Sequence, residues 1–127
     1  MSVRATFIAV LVVIGLTQAT AHADEIPAEI NYLLTTMGGS DCTFIRNGNE
    51  YNAEDAEAHL RMKYGRGKRY ASTTEDFIKN LASQSSMSGK PYYIACNGEE
   101  KTESGTWLMQ LLLEHRATGQ SKEREIE

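Results

Sequence analysis

A chain of 127 residues with 13 basic and 17 acidic side chains has room for one modest hydrophobic core and bears a formal net charge of -4. That acidic balance excludes general nucleic-acid binding, which needs a net positive surface to displace counterions. No apolar run reaches the ~20 residues that a membrane-spanning helix requires.

The first residues have the pattern of an export signal. Arg4 supplies a positive start, Phe7 to Leu16 is apolar apart from Gly15, and Ala21-His22-Ala23 offers the small-x-small site for cleavage before Asp24. The apolar run is about half a membrane span, and no Cys near the cut could carry a lipid, so residues 1–23 are expected to be a cleaved signal peptide with no membrane insertion afterwards. The domain from Asp24 to Glu127 is then periplasmic or secreted. Loss of Arg4 leaves it with a net charge of -5.

The mature chain begins with a helix. Ile26, Ile30, Leu33, Leu34 and Met37 recur on one face of a 3.6-residue period, Pro27 suits the first turn, and Gly38-Gly39 is expected to stop it in a left-handed conformation. Cys42 to Arg46 is short, branched and aromatic. With the Asn47-Gly48 turn and a brief return strand over residues 49–51, it predicts a hairpin. Asn52 caps a second helix expected to end at Tyr64, with Glu54 and Asp55 in the first turn and Gly65 as its stop. A basic loop, Arg66 to Tyr70, precedes a third helix, for which Ser72 and Glu75 form a capping-box pair and Phe77, Ile78, Leu81 and Ala82 form the buried face. The small polar residues 83–90 form a loop closed by Pro91, and Tyr92 to Cys96 is a third strand ending at Asn97-Gly98. Ser104 to Arg116 is a helix whose broad apolar surface (Trp107, Leu108, Met109, Leu111, Leu112, Leu113) marks it as the most buried of the domain or as one that also meets a partner, and residues 117–127 are expected to be a disordered tail.

These elements predict a single α+β domain: a small three-stranded antiparallel sheet, order 2-1-3, with about four helices packed on it. In an oxidising compartment the two cysteines, Cys42 and Cys96, are expected to be bonded, which stabilises a domain of this size by ~4 kcal/mol through the loop it closes. A bridge requires neighbouring strands. Setting 42 opposite 96 places Phe44 opposite Ile94 in the core and Arg46 opposite Tyr92, at the end of the sheet where the 83–90 loop enters.

Four ordered motifs carry a resemblance: Phe44-Ile-Arg-Asn-Gly48, His59-Leu-Arg-x-Lys63, Glu75-x-Phe-Ile78 and Ser85-Ser-x-Ser-Gly-Lys-Pro-Tyr92. Over roughly Glu29 to Leu113 the chain resembles the YfeK-like family, a domain-of-unknown-function group of small exported proteins of Gram-negative bacteria. The resemblance implies a periplasmic address and assigns no activity to any residue.

The candidate contact surface is basic. Arg61, Lys63, Arg66, Lys68 and Arg69 crowd one short segment, and Arg46, Ser86, Ser88 and Lys90 are grouped with it through the strand register. Such a patch in an acidic protein suits an anion or an acidic partner, although cations at a helix C-terminus also complement its dipole. Ser-Gly-Lys at 88–90 lacks the rest of a phosphate-loop pattern, and Pro91 follows where Ser or Thr is needed. Asp55, His59 and Lys63 follow one another at i, i+4 and i+8 on the second helix, but no Gly-x-Ser-x-Gly elbow supplies a nucleophile. No cofactor motif and no set of metal ligands at short spacing is present. The function expected is a non-enzymatic binding or interaction module, in envelope maintenance or as an inhibitor or immunity protein. Its partner would be a periplasmic protein or an anionic envelope ligand. The alternative is a small periplasmic hydrolase or sugar-binding enzyme using His59.

Overall fold

A computed structural model describes residues 25–126, so the export signal expected over 1–23 and its cut before Asp24 lie outside the described residues. Helix α1, Ala28–Gly38, buries Ile30, Leu33, Leu34 and Met37, the stripe its periodicity predicts. Its end is not left-handed: Gly39 has φ -87. At Gly38 a Cβ would meet the Glu57 carboxylate on the neighbouring helix, which would have to shift to make room.

Strands β1 (Thr43–Arg46) and β2 (Asn49–Tyr51) form the hairpin. Asn47 and Gly48 both have positive φ, 49° and 79°, as a two-residue type I′ turn demands. Helix α2, Ala53–Gly67, is capped by Asn52, whose side chain accepts the Asp55 N–H at 2.8 Å. It passes through Gly65, which faces open space, and ends at buried Gly67. The expected basic loop is therefore the last turn of α2 followed by a 3-10 turn, Lys68–Tyr70. Helix α3, Thr74–Phe77, starts one residue later than expected, because Thr73 rather than Ser72 accepts the N–H three residues on, that of Asp76. It widens into a π turn, Ile78–Ala82.

Strand β3, Tyr93–Ala95, runs antiparallel to β1 with Phe44 opposite Ile94, the register the disulfide argument predicts. Cys42 and Cys96 are bonded, with Cα atoms 4.2 Å apart. The sheet has a fourth strand beyond the expected three: β4, Thr102–Glu103, pairs with β3, giving the order β2-β1-β3-β4. Asn97 and Gly98, again at positive φ, make the turn that leads back to it. Helix α4, Ser104–Ile126, fully buries Leu108 and Leu112. It is not the most buried helix, since α1 buries four residues and Leu113 is exposed. Its last ten residues are helical and exposed, beyond Arg116 where the sequence suggests a disordered tail. No Pro interrupts them, and the hydroxyls of Thr118 and Ser121 bond the carbonyls one turn back.

The fold is thus α+β, a four-stranded antiparallel sheet with four helices and one disulfide. Phe44 and Ile94 join the α1, α3 and α4 apolar faces in one core. Arg116 ties α4 to α1 and α3 by donating to two carboxylates, Glu29 (2.7 Å) and Glu75. Among the described residues no helix is long and apolar enough to cross a membrane.

Candidate functional site

A cleft of about 560 Å³ opens between the outer face of α2, the β1–β2 hairpin and the loop over residues 83–92. Helix α2 supplies His59, Met62, Lys63, Arg66 and Gly67, a run at helical spacing that turns one stripe toward the opening. The hairpin supplies Arg46, Asn47, Asn49 and Tyr51. Ser85, Ser86, Met87 and Tyr92 come from the loop side, and Tyr70 and Leu81 complete the wall. The loop is well held. Ser85 N–H donates to the Lys90 carbonyl, Tyr92 N–H donates to that of Ser83, and Ser88 Oγ donates to Asn47 Oδ1 at 2.7 Å, joining the loop to the hairpin turn.

At the floor, three side chains meet on one oxygen. Lys63 Nζ donates to Tyr92 Oη at 3.1 Å and to the Gln84 carbonyl at 2.9 Å, and lies 4.8 Å from the centre of the Tyr92 ring. His59 Nε2 is 3.2 Å from the same Oη. Since an ammonium only donates, Tyr92 Oη accepts from Lys63, and it shares a second hydrogen bond with the near ring nitrogen of His59. Lys63 is buried, at 9% exposure, and has no carboxylate partner among the described residues. Burial, with the nearby Arg46 charge, lowers its pKa to about 8. Burial and the charges of Arg46 and Lys63 lower that of His59 to about 4, so the imidazole is neutral at neutral pH. Burial raises that of Tyr92, which keeps its proton. Arg46 stacks on Tyr51 at 4.3 Å, and Arg66 is exposed on the rim.

Among the described residues, no Asp or Glu lines this cleft. In a chain with more acids than bases, a concave surface carrying Arg46, Lys63 and Arg66 without a carboxylate focuses positive potential on whatever enters.

Of the candidate residues, the fold brings Arg46, Lys63, Arg66 and Ser86 together. Arg61 belongs elsewhere. It turns toward α1, pairing with Glu57 at 2.8 Å and donating to Asn31 Oδ1 and Thr35 Oγ1, so it ties two helices together. Lys68 and Arg69 lie in the 3-10 turn outside the cleft lining, with Arg69 stacked on Tyr70. Ser88 acts in the loop-to-hairpin bond, and Lys90 lines a separate shallow groove with Tyr93 and Lys101. His59 hydrogen-bonds a tyrosine and not a carboxylate, so no Ser-His-Asp arrangement is assembled around it. The sequence reasoning missed Tyr92 as the shared partner of His59 and Lys63, and it missed Met62, Tyr70 and Met87 on the rim. Among the described residues, no three His, Cys, Asp or Glu side chains converge as metal ligands would.

The model of a family described as "Family of unknown function (DUF5329)" matches residues 24–116. The chain is 44% identical over 75 residues to the "Uncharacterized protein YfeK" of Salmonella typhimurium strain LT2, a match covering 58% of this chain and 62% of that protein. The chain therefore spans less than two thirds of that relative's length. No solved structure matches it.

Proposed function

The chain belongs to the DUF5329 family, and from that premise we propose that it is an exported, non-enzymatic binding module whose α2 cleft receives the anionic group of a small ligand in the cell envelope. The observation that carries this reading is the cleft itself: Arg46, Lys63 and Arg66 converge on it from two elements, and among the described residues no carboxylate lines it. A buried lysine without a counter-ion costs stability, and an incoming anion removes that cost. The size of the cleft falls within the roughly 300–1,000 Å³ typical of small-molecule sites. Its concavity favours a small ligand over the flat contact of an inhibitor or immunity protein. Export to the periplasm is supported by the signal pattern over residues 1–23 and by the Cys42–Cys96 disulfide. The hydrolase reading lacks an oriented base, since His59 hydrogen-bonds Tyr92 and, among the described residues, no carboxylate.

Amide chemical shifts during a titration of the disulfide-bonded protein with inorganic phosphate test this proposal. It predicts saturable shifts confined to Arg46, Lys63, Arg66, Ser85 and Ser86. Small, linear shifts spread over the whole surface would refute it.

A further inference from the structure

Among the described residues, five large hydrophobic side chains are strongly exposed, and three of them ring the mouth of the same cleft: Met62 at 42%, Tyr70 at 50% and Met87 at 99%. They come from three separate segments (the outer face of α2, the 3-10 turn and the 83–92 loop), so their convergence is a product of the fold and not of one apolar stretch of sequence. Exposed apolar side chains gathered at one opening mark a contact surface, and methionine suits a surface that must fit a flexible ligand.

The two halves of the cleft therefore differ in chemistry. The floor, the hairpin side and Arg66 carry the charge and the hydrogen-bond donors, and the rest of the rim is apolar. Resting on the reading of the cleft as an anion site, we infer that its ligand is a single-chain amphiphile with a phosphomonoester head, taken up as a monomer. The head lies against Lys63, Arg46 and Arg66, and the first part of the chain lies over Met62, Tyr70 and Met87. A phosphomonoester suits three cations better than a carboxylate does. It brings a charge of about -1.5 to -2 at neutral pH and three acceptor oxygens, and guanidinium groups engage it by two parallel bonds. Ser86, exposed on the loop side, adds a hydroxyl donor.

Calorimetric titrations of the disulfide-bonded protein with octyl phosphate, inorganic phosphate, octanoate and neutral octyl glucoside, all below micelle formation, test the inference. Octyl phosphate is expected to bind roughly tenfold or more tighter than inorganic phosphate, the equivalent of burying about two methylenes. Replacing both exposed methionines (M62S with M87S) should reduce octyl phosphate to the affinity of inorganic phosphate and leave inorganic phosphate itself unchanged. Equal affinity for the two phosphates would overturn the amphiphile inference while sparing the anion site, and octanoate binding as tightly as octyl phosphate would overturn the choice of head. Binding only to vesicles containing phosphatidic acid, and not to the monomer, would overturn the stated mode of uptake. Failure of both phosphates to bind would instead overturn the anion-site reading beneath it.

Discussion

Replacing Lys63 with methionine separates binding from stability. The folded-state pKa of Lys63 is about 8 against an ordinary 10.5, and the difference sets an upper limit of about 3 kcal/mol on the cost of holding the charged ammonium in the fold at neutral pH. Because the side chain borders an open cleft, solvent screens part of that cost, and about half is a fairer figure. Methionine keeps the apolar stem and removes the charge. It frees the carbonyl of exposed Gln84 to bond water, and Tyr92 retains His59. Lys63→Met should therefore stabilise the protein by about 1 kcal/mol at pH 7, or ~4–8 °C in melting temperature for a domain of this size. The sign of the pH dependence follows from the lowered pKa. Between about 8 and 10.5 the unfolded chain holds a proton that the folded one has released, so the wild type gains stability with rising pH and the advantage of the variant shrinks. Tyr92 holds its proton more firmly than usual, so a comparison at pH 7 and pH 9.5 reports mainly on Lys63. Urea unfolding of both proteins at the two pH values is the assay. A variant destabilised by more than ~1 kcal/mol at pH 7, or an advantage that does not diminish by pH 9.5, would refute the claim that Lys63 is an uncompensated buried charge.

Tyr92→Phe removes the oxygen shared by Lys63 and His59 and should cost about 1–3 kcal/mol, read from the shift of the urea midpoint. Replacing both Cys42 and Cys96 by alanine opens a link across a sequence separation of 54 and should lower stability by ~4 kcal/mol in the same assay. At low pH the Arg116 bonds hold Glu29 down at about 2, so the stability they contribute is complete above the ordinary 4.5 and is lost as pH falls toward 2. Arg116→Met should flatten the wild-type loss of stability across that interval, and an unchanged slope would remove the pair from the acid response.

The parts of the fold that could be read in the sequence were those set by strict local rules. The Asn47-Gly48 turn, the Asn52 cap and the α1 stripe each depend on neighbouring residues alone. The β1–β3 register was also legible, because two cysteines and the alternation of Phe44 and Ile94 left little freedom in the pairing. Strand β4 escaped notice because it is two residues long and follows three charged ones, with only the Asn97-Gly98 turn to announce it. Arg61 was misplaced although the signal was present, since Glu57 stands one helical turn before it and forms the expected i, i+4 pair. For the cleft, the sequence placed His59 one turn before Lys63, and the register put Tyr92 opposite Arg46. What it lacked was the inward roll of α2 that delivers both side chains to one phenol oxygen. The apolar rim was illegible for a similar reason, since Met62, Tyr70 and Met87 share no period and meet only in three dimensions.

The central claim is that an anion binds through the cations of the α2 cleft, and a matched pair of charge reversals tests it most directly. Arg66 is exposed on the cleft rim, and Lys79 is exposed outside the cleft lining, so R66E and K79E change the net charge equally. Each should move stability by no more than ~0.5 kcal/mol. Calorimetric titration with octyl phosphate at fixed ionic strength should show binding abolished or weakened at least roughly tenfold in R66E, a loss of about 1.4 kcal/mol, and unchanged in K79E. Equal affinities in the two variants would contradict the account.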